Sequence, residues 1–275
     1  MAFWIVPLAA MLLYLFLISP SWRGRKRAAS AFPVRFYAHR GLHGKDAPEN
    51  ALIAFERAAE QGYGIELDVR LTRDRAIVVH HDDTALRLCG VDRPLGDMTL
   101  QEVQSLRLAG SSYGIPTLRE VCDQVRGRSP LLIEMKSGGD SRELPRILYE
   151  LMAGYEGVWC VESFDPRLLW WFRRNAPGII RGQLACDFHR MGEETGLLYR
   201  LAAHLTMNFL SRPDFIAYGW EGDRNPTFRA VKALFHPVTA AWTVKDEENS
   251  RALRSRYDVQ IFEGFRPDNK KVFDE

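Results

Sequence analysis

The sequence predicts an α/β fold in which a parallel sheet closes into a (β/α)8 barrel. Two observations carry this reading. Short β-rich runs alternate with helical patterns from residue 35 onward, and there are eight such runs. Alternation of this kind favours a parallel sheet, and eight units favour closure. The length agrees: 275 residues with 46% hydrophobic content can build one sizeable core, and single barrels of this type run to about 250 residues. A doubly wound open sheet is the alternative arrangement of the same alternation.

Ahead of the barrel, residues 1–22 carry no charged side chain and include the apolar run FWIVPLAAMLLYLFLI. About 20 residues at a rise of roughly 1.5 Å cross a hydrocarbon core of about 30 Å. This stretch is therefore predicted to be one N-terminal transmembrane helix, 1–22, joined by a basic linker, 23–34, to a barrel domain, 35–275. Arg23, Arg25, Lys26, Arg27 and Arg35 meet no acid within the first 35 residues, while the rest of the chain holds 32 basic and 35 acidic residues. The positive cluster follows the apolar run, the reverse of a secretory signal, and the positive-inside rule then places the large domain on the cytoplasmic side of a membrane. The basic cluster is expected to lie against anionic lipid headgroups. Small residues AASA at 28–31 keep a cleaved signal peptide as the alternative. A net charge of +2 gives no electrostatic case for nucleic acid, and no protein partner is indicated. Cys89, Cys122, Cys160 and Cys186 form no C-x-x-C pair and read as reduced, mostly buried thiols.

Within the barrel domain, strands are expected at 35–38, 64–69, 131–136, 157–162, 179–184, 214–218, 238–244 and 258–262. The helical pattern at 51–61 puts Leu52, Phe55, Ala58 and Ala59 on one face, with Asn50 as its cap and Gly62 as its end. Further helical patterns fall at 117–125, 142–152, 166–175, 195–207, 227–234 and 245–254. Residues 75–81 read as an extra strand. Residues 82–114 then read as a small insertion after the second strand, at the strand ends where barrel enzymes build their sites.

The chemistry concentrates at those strand ends. In IELDV, 65–69, alternation puts Glu66 and Asp68 on one face, and inside a barrel they point inward. Two carboxylates so close repel unless a cation holds them. LLIEMK, 131–136, repeats the syntax with Glu134 and Lys136 on one face. Three inward carboxylates form an oxygen-rich cage suited to Mg²⁺ or Ca²⁺; a structural ion-pair network is the alternative. In AIVVHHDD, 76–83, His81 and His80 take opposite faces. His39 and Arg40 end the first strand, where a plain turn explains the glycine and proline that follow but not these two side chains.

Taken in order, these stretches resemble the glycerophosphodiester phosphodiesterase family: HRG at 39–41, PEN at 48–50, GIELDV at 64–69, T-x-D at 72–74, HDDT at 81–84 with Arg87, LLIEMK at 131–136, ESFDP at 162–166 and AWTV at 241–244. The resemblance implies a (β/α)8 barrel with an insertion after the second strand and metal-dependent hydrolysis of a glycerophosphodiester to glycerol 3-phosphate and an alcohol. It implies that Glu66, Asp68 and Glu134 hold the metal, that His39 and His81 are the acid–base pair, and that Arg40 and Lys136 neutralise the phosphate. Trp242 is a possible substrate contact. The chain departs from the family at its last strand, which runs FEGFRP at 262–267 where Thr-Asp-x-Pro is common, and at His80, where an aromatic residue is usual; His80 is read as a packing variant. The alternatives are a lysophospholipase D acting on lysophospholipids and, in a different class, a catalytically silent binding module. The apolar segment TGLLYRLAAHLTMNFL, 195–210, bears on the first of these. Leu197, Leu201, His204 and Leu205 form one helical stripe, either buried as a barrel helix or partly exposed near the mouth, where it would admit an acyl chain.

Overall fold

The structure, a computed structural model, describes residues 2–138, 141–188 and 196–268. In chain order its main elements are α1 (Ala2–Ile18), α2 (Gly24–Ala28), β1 (Phe36–Ala38), α3 (Leu52–Glu60), β2 (Gly64–Leu71), β3 (Ile77–Val79), α4 (Leu86–Cys89), α5 (Leu100–Gln104), α6 (Leu118–Val125), β4 (Leu131–Met135), α7 (Leu144–Met152), β5 (Trp159–Ser163), α8 (Pro166–Asn175), β6 (Arg181–Ala185), α9 (Leu197–Ala203), α10 (Asn208–Ser211), β7 (Phe215–Gly219), α11 (Pro226–Phe235), β8 (Val238–Val244), α12 (Glu247–Leu253) and β9 (Val259–Phe262).

Eight strands form the ring in the order β1-β2-β4-β5-β6-β7-β8-β9, and β1 pairs with both β2 and β9. Every pairing in the ring is parallel, so the sheet closes as a (β/α)8 barrel. β3 lies outside the ring, antiparallel to β2. Alternation along each strand sorts the core into two shells. Ile65, Leu67, Val69, Ile133, Met135 and Val161 face the helices, while Tyr37, Leu132, Cys160, Phe215, Ala217 and Ala240 fill the interior. Interior space is tight at Gly182, where a Cβ would lie 2.1 Å from the Phe215 ring. The insertion builds its own small core from Val78, Ala85, Leu95, Met98, Val103 and Leu108, and a Thr99–Glu102 capping box starts α5.

The N-terminus departs from expectation. The predicted transmembrane helix, 1–22, is a 17-residue helix, roughly 25 Å long at 1.5 Å per residue. Among the described residues no helix is long and apolar enough to cross a membrane. Pro20 cannot continue the helix, and the last turn is captured by the barrel. Asn208 Nδ2 donates to Ile18 O at 2.8 Å and Arg212 Nη1 to Ser19 O at 2.8 Å, and Ile18 is fully buried. The expected basic linker also folds. α2 packs under β7 and β8, and Ala28 and Ala31 join the interior cluster as the barrel floor. Arg25 bonds Asp258 at 2.8 Å and Arg27 lies 3.5 Å from Asp214, so these two brace the floor instead of lying free for lipid headgroups.

Candidate active site

β1 ends at Ala38, and the chain turns at once. Arg40 takes a left-handed backbone (φ 55°) and Gly41 another (φ 79°). A Cβ on Gly41 would meet the Ala54 backbone at 2.8 Å, so only glycine lets the turn lie against α3. Strain held at a strand end by surrounding contacts is a recurrent property of functional sites. Here the turn aims Arg40 N at Glu66 Oε2, 2.9 Å away, and brings Arg40 Nε to 3.4 Å from Asp68 Oδ2.

Glu66 and Asp68 point inward from β2, and Glu134 lies in register with Asp68 on β4. The three are 2%, 0% and 7% exposed, and each offers an oxygen within 4.8 Å of the others. Lys136 Nζ closes the group, 2.7 Å from Glu134 Oε1 and 2.9 Å from Asp68 Oδ1. Burial, then the neighbouring acids, pushes Glu66 well above the usual carboxylate range. Glu134 is pushed up to about 7 by burial against the pull of Lys136. Burial acts the same way on Asp68, but Lys136, His81 and Arg40 outweigh it and hold that group low. Three buried carboxylates with too few cations among them are a donor set that fits a hard divalent ion.

Each histidine leans on a carboxylate. His39 Nδ1 lies 2.8 Å from Glu263 Oε2, and His81 Nδ1 lies 2.8 Å from Asp82 Oδ1. With Nδ1 engaged, Nε2 is the nitrogen left for proton transfer. Burial lowers His81 to about 4 despite the nearby Asp68. Arg87 grips Asp82 and Glu49 together, and Glu49 in turn bonds Arg40 at 2.7 Å. Trp242 is half-buried, with its ring edge-on to Phe164 at 5.5 Å. It lines a cavity of about 80 Å³ together with Gly219, Thr243 and Lys245, on the β7–β8 side of the mouth.

The sequence matches the glycerophosphoryl diester phosphodiesterase family over residues 39–260. The chain belongs to that family. A glycerophosphodiester phosphodiesterase of Bacillus altitudinis is 38% identical over 188 residues, covering 66% of this chain and 70% of that protein. A human lysophospholipase D is 31% identical over 171 residues, covering 56% and 52%. The aligned stretches cover 62% and 44% of the length of two further bacterial relatives. A solved Oleispira antarctica phosphodiesterase in complex with the product sn-glycerol-3-phosphate superposes with a TM-score of 0.71 at 24% identity, covering 86% of this chain and 94% of that one, which shows the common fold.

For a chain of this family the structure brings His39, Arg40, Glu66, Asp68, His81, Glu134 and Lys136 to one end of the barrel, with Trp242 across the mouth from β2. It also corrects one role and adds others. Asn50 was expected to cap α3, yet the residue at that position is Ala51, with no side-chain cap. Asn50 is instead fully buried at φ 58° and donates from Nδ2 to Asp68 Oδ2 at 2.8 Å. Glu49, Asp82 and Glu263 support the charged side chains, and sequence reasoning passed them over. A polar residue inside a motif beside a known candidate was the available signal for Glu49 and Asp82. Glu263 stands where the chain leaves the family's Thr-Asp-x-Pro pattern, and its contact with His39 crosses the β9–β1 seam. His80 is fully buried, and burial lowers its pKa, so it packs as a neutral ring.

Proposed function

We propose that this protein hydrolyses glycerophosphodiesters to glycerol 3-phosphate and an alcohol. The observation that carries the reading is the Glu66–Asp68–Glu134 cluster, enclosed with Lys136 and Arg40 and flanked by two carboxylate-supported histidines. Those three carboxylates would hold Mg²⁺ or Ca²⁺. When bound, the ion supplies Lewis-acid charge for the phosphate oxygens. Arg40 and Lys136 add fixed positive charge where the non-bridging oxygens gain negative charge. His39 and His81 divide the proton transfers. One withdraws the proton of the attacking hydroxyl and the other protonates the departing alkoxide. Attack by water gives glycerol 3-phosphate directly, whereas attack by the substrate's own glycerol gives a cyclic phosphate that water then opens with the two proton-transfer roles exchanged. Glu263 and Asp82 hold the rings with Nε2 free for those transfers. Trp242 is a wall against which the alcohol would pack.

A lysophospholipase D reading is favoured by a separate observation. Leu197 and Leu201 on α9 are 74% and 37% exposed; Thr195 and the side chain of Leu198 lie outside the described residues. α1 runs from the floor toward the mouth, since Ile18 meets Asn208 ahead of β7 and Tyr14 bonds Thr227 at the first turn of α11. Trp4, Ile5, Val6 and Leu8 are more than half exposed on its free part. An apolar helix with no charge on any face suits lipid better than water. In this reading α1 holds the protein at a membrane and the barrel lies on the cytoplasmic side. The test is turnover of glycerophosphocholine against lysophosphatidylcholine, with vesicle co-sedimentation of the full chain. Release of glycerol 3-phosphate from the first supports the main reading. A fall in lysolipid turnover alone in Leu197→Ser/Leu201→Ser, at unchanged Tm, supports the second. Equal effects on both substrates, or no co-sedimentation, remove it.

A further inference from the structure

Glu162 takes no part in that chemistry, although it is buried in the barrel. It stands on β5 in register with Glu134 of β4. Its chain neighbours Cys160 and Val161 belong to the interior and outer shells respectively, so alternation points Glu162 inward. It is 1% exposed, and Oε2 has no hydrogen-bond partner among the described residues. The other acids at this level are served by donors: Glu66 by the Arg40 amide, Asp68 by Asn50, and Glu134 by Lys136. On the far side of Glu162, its register partner on β6 is Gly182, and the Phe215 ring covers that glycine. Phe164 lies just past the end of β5, with its ring against Trp242. The polar side of Glu162 is therefore the Glu134 side. A buried carboxylate without a donor is costly to a fold, and such violations persist where function needs them.

We infer that Glu162 is a fourth carboxylate of the divalent-cation site, bearing on the ion from the β5 flank and setting how tightly it is held. The inference rests on the metal reading of Glu66, Asp68 and Glu134. Glu162 acts there as a positioning charge: it adds an acceptor oxygen and one negative charge to a cluster that Lys136 and Arg40 partly neutralise. Groups that support a metal site from beside the ligands typically change affinity by about 10–100-fold when removed.

The experiment uses the full chain stripped with EDTA and titrated with Ca²⁺ and with Mg²⁺ by calorimetry, alongside thermal melts of the metal-free protein. Glu162→Gln keeps the shape and removes the charge; Glu162→Met replaces it with an apolar chain of similar length and stands in if the first variant folds poorly. The expected result is a Kd raised about tenfold or more, with a metal-free Tm equal to or above that of the wild type, because a buried acid whose oxygen has no donor has gone. Asp83→Asn, at the exposed rim beside Arg70, controls for the loss of any nearby charge. A Kd within twofold of wild type, a Kd no weaker than in Asp83→Asn, or a metal-free Tm lowered in both variants overturns the inference. Should the wild type itself take up no divalent ion, the triad reading falls with it. If Glu134→Gln abolishes binding and Glu162→Gln does not weaken it, only the role of Glu162 falls.

Discussion

Asn50→Asp removes one hydrogen-bond donor and changes almost nothing else in shape. Asn50 is fully buried with a left-handed backbone, and its Nδ2 stands 2.8 Å from Asp68 Oδ2. Aspartate tolerates that backbone nearly as well as asparagine. The substitution loses a charge-assisted bond worth about 1.5–3 kcal/mol and sets a second carboxylate oxygen where the donor was. At an effective dielectric of about 20, two unit charges 2.8 Å apart repel by about 6 kcal/mol. Repulsion therefore outweighs the lost bond, and the pair relieves it by retaining a proton. The proton-sharing pair carries one negative charge, the same as Asp68 beside neutral Asn50, but divides it between two carboxyl groups. Asp68 itself therefore offers less charge to a cation, and Kd for Mg²⁺ or Ca²⁺ at pH 7 is predicted to rise about 10–100-fold. Because the ion must displace that proton, affinity in the variant should climb more steeply with pH than in the wild type. Calorimetric titration at pH 6, 7 and 8, with circular dichroism to verify the fold, reads both effects. Wild-type affinity with a wild-type pH slope would refute the role given to Asn50. Asn50→Ala separates strain from charge: alanine at φ 58° should lower Tm without steepening the pH slope.

The remaining predictions concern the rest of the site. Glu66→Gln, Asp68→Asn and Glu134→Gln should each abolish divalent-ion binding and turnover with circular dichroism unchanged; activity in fully EDTA-stripped wild type would contradict this. His39→Ala and His81→Ala should each lower kcat by about 10²–10⁴-fold with metal still bound, and a near-normal kcat in either removes that histidine from proton transfer. Glu49 is held at about 2 against burial by Arg87 and Arg40, below its ordinary 4.5. A depressed folded pKa contributes stability above about pH 4.5 and loses it as pH falls through about 2. Glu49→Gln should therefore cost on the order of 2 kcal/mol at pH 7, allowing for solvent screening, and flatten the acid limb of Tm against pH. An unchanged acid limb would refute that assignment.

The barrel was legible because its signals are local. Each strand shows an apolar run, each helix a stripe, and the seven expected helical segments all contain a helix, although the crossover from β6 to β7 breaks into α9 and α10. Alternation put Glu66, Asp68 and Glu134 on the inward face of apolar strands, but a solvated face or an ion-pair network reads the same way, and their grouping as a metal site came from the resemblance. What sequence could not show are contacts between distant segments. Asn50 looks like a helix cap until β2 brings Asp68 against it, 18 residues away. Glu263 and His39 are 224 residues apart and meet only when β9 closes on β1. Residues 24–28 carry the composition of a linker, but the barrel floor supplies Asp258 and Asp214 for their arginines. The apolar run at the start has the hydropathy of a span, but its last turn is fixed by Asn208 and Arg212, whose position depends on the fold. Glu162 lay in view within ESFDP, and its lack of a donor appears only once its neighbours are in place.

The most direct test of the account is release of glycerol 3-phosphate from glycerophosphocholine by metal-free protein as Mg²⁺ or Ca²⁺ is restored. The account predicts no product without the ion, product rising to saturation as it is added back, and none at any ion concentration in Glu134→Gln. Equal product formation with and without metal, or undiminished turnover in Glu134→Gln, would contradict it.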